Sequence, residues 1–230
     1  MYNNDEVISY LQANKILAVK LDRAVSAVGQ QVKNQVEILG KGATRLLYYT
    51  SCFTDEYNDV CQQQKMEDLR FRDGVVRIIQ HGDVVCEMIR LYFDEIFKYK
   101  TNDQLEYLKK ALMAVNVHIA ASTLTGAGYA LAVANAVRFG LNINLQLSSL
   151  TGRTAGTVAG IVATYGLVQK AADSARRLSF QYPAYYFSLY MQQLEMMYFL
   201  IEPIFERAGA LQGSGISDSA IANIITRMIR

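Results

Sequence analysis

The sequence predicts an all-α protein, a multi-helix bundle with a buried hydrophobic helical hairpin. Three observations point there. Only two prolines, Pro183 and Pro203, occur in 230 residues, and no strand-like alternation bounded by turn dipeptides is present. Apolar residues recur at steps of three and four along several stretches, the period of one helical face. In the middle of the chain, from Ala111 to Gln169, only Arg138 and Arg153 carry a permanent charge. The length suits one helical domain over 1–230, with amphipathic helices over 1–110, the hairpin over 111–170 and aromatic-rich and C-terminal helices over 171–230.

Taken in order, Asp5 to Leu39 reads as an amphipathic helix. Leu21, Val25, Val28, Val32, Val36 and Leu39 form its stripe, and Gly40 and Gly42 are expected to break it. The GKGAT stretch lacks the spacing of a phosphate-binding loop, so it reads as that break. ATRLLYYTSCF begins a further helix, and DEYNDVCQQQKMEDLRFR is polar and expected to be partly loop. From Asp73 onwards Val75, Ile78, Ile79, Val85, Met88, Ile89, Tyr92, Phe93, Ile96 and Phe97 mark a core-facing surface that Gly82 kinks. His81 beside Asp83, near Asp73 and Glu87, is the one grouping with the makings of proton transfer; a charged helix face is the commoner reading of such a pattern.

The hairpin has two halves. Ala111 to Val137 is apolar or small around its whole circumference, and a helix without a wet side must be covered by protein or lipid. At 1.5 Å per residue it reaches about 40 Å, enough for a hydrocarbon core of about 30 Å. Thr154 to Gln169 is shorter, and 139–152 is the turning region. Small residues recur every fourth position, as Gly126, Ala130 and Ala134 in the first half and Gly152, Gly156 and Gly160 in the second. Such glycine-zipper ridges let helices approach closely in lipid, where no hydrophobic drive brings them together. The composition, rich in Ala, Gly, Thr and Ser, makes insertion marginal and therefore conditional. His118 lies alone inside the first half and is a candidate pH switch, because protonating a buried imidazole is costly. Lys109, Lys110, Lys170, Arg176 and Arg177 gather at the foot of the hairpin, leaving the lighter end to cross a bilayer.

Ser179 to Phe205 is dense in Tyr, Phe and Met, a composition that suits a core or a membrane interface. The tail then opens with a Gly- and Ser-rich hinge, AGALQGSGISDSA, over 208–220. The last helix is capped by Ser217 or Asp218 and carries Ile221, Ile224, Ile225 and Met228 on one face.

Composition narrows the function classes. A net charge of +2 with scattered bases advertises no nucleic-acid surface. Two distant histidines, three cysteines without a CxxC pair and no glycine fingerprint point to no catalytic residue, metal or cofactor. The odd number of cysteines, Cys52, Cys61 and Cys86, argues against a disulfide framework and for synthesis in the cytoplasm, and MYNNDEVISYLQANK is not a signal peptide.

In layout the chain resembles the pore-forming colicins, whose helical domains hide an Ala- and Gly-rich hairpin. The stretches that carry the resemblance are ALMAVNVHIAASTLTGAGYALAVANAV and TAGTVAGIVATYG, in a tract from Ala111 to Gln169 that makes up about a quarter of the chain, and the internal Arg138 and Arg153 depart from that family's pattern. The resemblance implies an antibacterial effector that acts at a target-cell membrane after export by a dedicated secretion system. Its partners would be a lipid bilayer, a cognate immunity protein and further copies of itself. The rival expectation is a helical scaffold whose hairpin is only core or an oligomer interface.

Overall fold

The computed structural model describes residues 40–46, 48–53, 55, 57–81, 83–115, 117, 125–140, 158–211 and 215–229. Among them every regular element is helical, an all-α, multi-helix bundle. The chain divides into two compact units: residues 1–72 with 152–173, and residues 73–151 with 174–230.

The first unit contains helical residues 40–46, a short 3-10 helix Tyr49–Phe53, most of α1 (Asn58–His81) and the start of α5 (Val158–Gln181). Two expectations are narrowed here. Residues 40–46, read as a break, are helical, and the polar stretch read as partly loop lies outside helix at Asp55 and Tyr57 and joins α1 from Asn58 on. The reason is tertiary: Arg45, planted in 40–46, is fully buried and bound to α1 through Glu67 (2.9 Å), Asp68 (2.6 Å) and the carbonyl of Gln64 (3.0 Å). Those charge-assisted bonds outweigh the roughly 1 kcal/mol that each helical glycine costs.

A third correction concerns the cysteines. Cys52 and Cys61 are joined in a disulfide, and Cys86 is the free, buried thiol. The 3-10 turn brings Cys52 back against the first turn of α1, which parity counting cannot foresee. Burial, with Asp83 beside it, pushes the Cys86 thiol up, so it stays protonated and poorly nucleophilic. Thiol titration with Ellman's reagent is therefore expected to find no promptly reacting group in the native protein, one after unfolding without reductant, and three after reduction. Three before reduction would show that the pair is open.

The second unit is built on α2 (Val84–Phe97), α3 (Asn102–Ala114), α4 (Gly126–Gly140), the end of α5, α6 (Pro183–Met191), a 3-10 helix Glu195–Leu200, α7 (Glu202–Ala208) and α8 (Asp218–Ile229). Asp83 caps α2 by accepting from the Cys86 amide (3.3 Å), so the stretch expected to be one kinked helix is two, α1 ending at His81 and α2 starting at Val84; Gly82 itself lies outside the described residues. Thr101 and Gln104 form a capping box on α3, and Leu105, Leu108 and Leu112 face inward. Ser217 caps α8 by accepting from Ala220 (3.3 Å), and Ile221, Ile224, Ile225 and Met228 are buried as their spacing predicts. α2 packs on α4 and α6, while α8 packs on α3, α4 and α7.

An aromatic cluster fills the middle. Tyr92 meets Phe93, Tyr185 and Phe205 edge-on at 4.9, 5.4 and 4.8 Å, and Tyr185 stacks on Phe205 at 5.6 Å. The Tyr92 hydroxyl donates to the Ala210 carbonyl (2.7 Å) and that of Tyr185 to the Met88 carbonyl (2.9 Å). Burial pushes both hydroxyls far up, which keeps them neutral. Gly209 ends α7 with φ of 67°, a left-handed cap that turns the chain to place Ala210 under Tyr92.

Candidate functional site

Of the residues singled out by sequence, Gly126, Ala130 and Ala134 lie on α4, which is seated on α2. Thr125 starts the helix, its hydroxyl accepting from the Gly128 amide (3.2 Å). Gly126 follows, and a β-carbon there would lie 3.1 Å from the Phe97 carbonyl oxygen, so this turn comes close to the backbone at the end of α2. Ala130 and Ala134 are fully buried, with Tyr129, Val133 and Val137 beside them. The other end of α4 meets the start of α2. The Cys86 thiol reaches the Asn135 side-chain oxygen (3.5 Å) and Arg138 pairs with Asp83 (3.0 Å), so the two helices run antiparallel.

The seat is tight in shape and sparing in polar bonds. Its surface is small and apolar, which allows dispersion contacts over a long line. The Arg138–Asp83 pair is about 40% exposed on both sides, at 42% and 39%, and such pairs contribute little. The Tyr129 hydroxyl is buried with no hydrogen-bond partner among the described residues, a cost of about 1–3 kcal/mol. Leu131 and Phe139, away from the α2 and α8 contacts, are 48% and 83% exposed among the described residues. The surface is chemically inert, fit for helix association rather than for bond making.

The expected single helix over the first half of the tract is corrected. α3 already includes Ala111 to Ala114 and stops there, the amide of its cap residue Val115 bonding back to Leu112, and α4 begins only at Gly126. Val115, Val117, Thr123 and Thr125 are β-branched and favour helix less than the alanines around them, and Thr125 supplies a cap. Among the described residues no helix is long and apolar enough to cross a membrane. Of the remaining predicted residues, His118, Gly152 and Gly156 lie outside the described residues, and Gly160 lies in the first turn of α5.

The bases expected at the hairpin's foot lie on α3 and α5. Lys109 and Lys110 sit on α3, where Lys110 pairs weakly with Glu106 (3.9 Å), and Lys170 belongs to the first unit. Arg176 is exposed on α5, and Arg177 forms a bidentate pair with Glu202 (2.8 Å). Near His81, the acids are engaged structurally: Asp83 as a cap and Glu87 with Arg77 (2.8 Å).

Sequence reasoning missed the polar anchor at the end of the second half. In the first unit Gln169 accepts from Arg45 (3.2 Å) and donates to Asp173 (2.9 Å), and Asp173 pairs with Lys41 (3.3 Å). Tyr49 donates to Asp68 and meets Tyr165 edge-on at 6.0 Å. The only sequence signal was a lone arginine in an apolar run, RLLYY.

No protein-family model, curated protein or solved structure matches this chain.

Proposed function

We propose that the protein is membrane-active, a pore-forming or permeabilising effector toxin that folds first in water and then commits its uncharged tract to a target bilayer. One observation carries the reading. A helix from that tract, α4, rests on α2 through a ridge of Gly126, Ala130 and Ala134, with a half-exposed ion pair and an unsatisfied buried hydroxyl as its polar complement. Such a surface re-forms equally well against another helix in lipid, because its gain is close packing rather than escape from water. A cognate immunity protein and self-association belong to the same reading.

A second reading has its own support. The break between α3 and α4 shortens the apolar helix to 15 residues, below the roughly 17–25 that a span needs, which favours a helical scaffold with α4 as core.

Dye-loaded anionic vesicles separate the two. Released dye is expected to rise as pH falls from about 7.5 to about 4.5, a window that spans histidine titration and reaches the upper edge of carboxylate titration. Replacing Gly156 and Gly160 with Leu is expected to cut release at least about tenfold, by blocking close helix approach. No release at any pH from protein that binds the vesicles or stays in solution would establish the scaffold instead.

A further inference from the structure

In the first unit the second half of the uncharged tract is tied to the segment just before the disulfide, and the tie has a regular form. Lys41 pairs with Asp173 (3.3 Å), Arg45 donates to Gln169 (3.2 Å), and Tyr49 meets Tyr165 edge-on at 6.0 Å. Each four-residue step forward from Lys41 to Tyr49 is a four-residue step back along α5. The two segments therefore run antiparallel, and residues four apart put the three α5 side chains on one face. α5 itself carries no charge from Val158 to Gln169, so this ladder is a polar and aromatic edge on an otherwise apolar stretch.

The other side of the ladder is clamped to α1 at two points. Tyr49 and Cys52 are three residues apart on the 3-10 helix Tyr49–Phe53, one turn of such a helix, and so lie on one side of it. Tyr49 donates to Asp68, and Cys52 is bonded to Cys61. Cys61 and Asp68 stand two turns apart on α1 and share a face. Asp68 also accepts twice from the Arg45 guanidinium (3.0 and 2.6 Å), so clamp and ladder meet in one carboxylate. Partial burial and that carboxylate push the Tyr49 hydroxyl up, which keeps it the donor. A five-residue helix is too short to persist alone, so this one depends on its two attachments.

We propose that the disulfide between Cys52 and Cys61 is a redox lock on α5: intact, it holds the ladder closed, and opened by a dithiol it frees Val158–Asp173 to enter a bilayer. The inference rests on the membrane-active reading and names what regulates it. Accessibility sets the point of attack, since Cys61 is 1% exposed and Cys52 is half-buried. A thiolate of the reductant bonds to Sγ of Cys52, the sulfur–sulfur bond breaks, and its electron pair leaves on Sγ of Cys61, which takes up a proton. The reductant's second thiol, losing its proton, then displaces Cys52 from the mixed disulfide, and Cys52 is protonated in turn. Two electrons and two protons pass to the protein, which ends with two thiols while the dithiol ends as a disulfide. The 3-10 helix is left with its Tyr49 attachment, and the Tyr49–Tyr165 rung, the one nearest the start of α5, opens first.

The test uses full-length protein, oxidised or treated with dithiothreitol, and two readouts. Hydrogen exchange of the amides at 165–173 in solution is expected to speed up at least about tenfold on reduction, while α8 exchanges as before. Dye release from anionic vesicles is expected to rise at least about tenfold in the same step. The double variant Cys52→Ser, Cys61→Ser is expected to match the reduced parent and to ignore dithiothreitol. Tyr49→Phe, which keeps the disulfide, is expected to exchange like the parent when oxidised and faster than the parent when reduced. Unchanged exchange at 165–173 overturns the proposal, and so does equal acceleration in α8, which would mean general unfolding. Faster exchange with equal release in both redox states also overturns the gate and leaves the pore standing. Faster exchange on reduction with no release in either state does the reverse: the lock on α5 stands and the membrane-active reading falls.

Discussion

Arg45→Ala lowers the stability of the first unit by about 3–5 kcal/mol, the range for breaking a buried ion pair from one side. The arginine side chain has no solvent exposure and serves Glu67, Asp68, Gln169 and the Gln64 carbonyl at once. Its removal leaves Glu67, whose side chain is 15% exposed, with the neutral Gln63 amide (3.1 Å) in place of the guanidinium at 2.9 Å, and opens a void the length of an arginine stem. Asp68→Asn should cost less, about 1–3 kcal/mol, because Asp68 is 28% exposed and Glu67 still balances the guanidinium. Urea unfolding checks both through a lower midpoint at unchanged slope. A loss of under about 1 kcal/mol for Arg45→Ala would mean that the guanidinium is solvated and the network is not built as described.

The second large effect falls in the other unit. Phe205 is fully buried, lies 4.8 Å from Tyr92, stacks on Tyr185 and receives the edge of Tyr198 at 5.7 Å. Phe205→Ala is expected to cost about 3–5 kcal/mol, the range for deleting a large aromatic from a packed core. In a domain of this size that lowers the melting temperature by about 6–20 °C. Phe205→Leu keeps most of the volume and should cost less than half as much, since the aromatic contacts add only about 0.5–1.5 kcal/mol each beyond area. Scanning calorimetry distinguishes them. Similar melting for the parent and the alanine variant would place Phe205 outside the core.

Such contrasts explain what could be read in advance. The last helix was legible residue by residue, because Ile221, Ile224, Ile225 and Met228 share a face and a serine stands one position before it. α2 was legible for the same reason. The Gly126, Ala130 and Ala134 ridge was legible as a packing surface, since four-residue spacing survives whatever the partner. Its partner was not, because nothing in local periodicity says that α2 runs beside it in the opposite sense. The stop at Ala114 was obscured by uniform hydrophobicity: where every residue is apolar, the amphipathic signal vanishes and only caps mark an end. The Arg45 network was hidden by distance, with partners 22, 23 and 124 residues away. The aromatic stretch split in two, with Tyr185, Tyr198 and Phe205 in the core and Phe180 and Phe187 in water, because the break at Tyr182 separates α5 from α6.

The bond between Cys52 and Cys61 gives the chain two mechanical grades. It closes a ring of about ten residues, and a ring that short restricts the unfolded chain by about 2.5–3 kcal/mol on the entropy account. Glutathione and thioredoxin keep such rings open inside a mesophilic cell, whereas extracellular and periplasmic conditions close them. Reduction therefore softens the polypeptide around the Arg45 anchor, and oxidation toughens it, so the redox state of the surroundings sets how firmly this part of the chain is held.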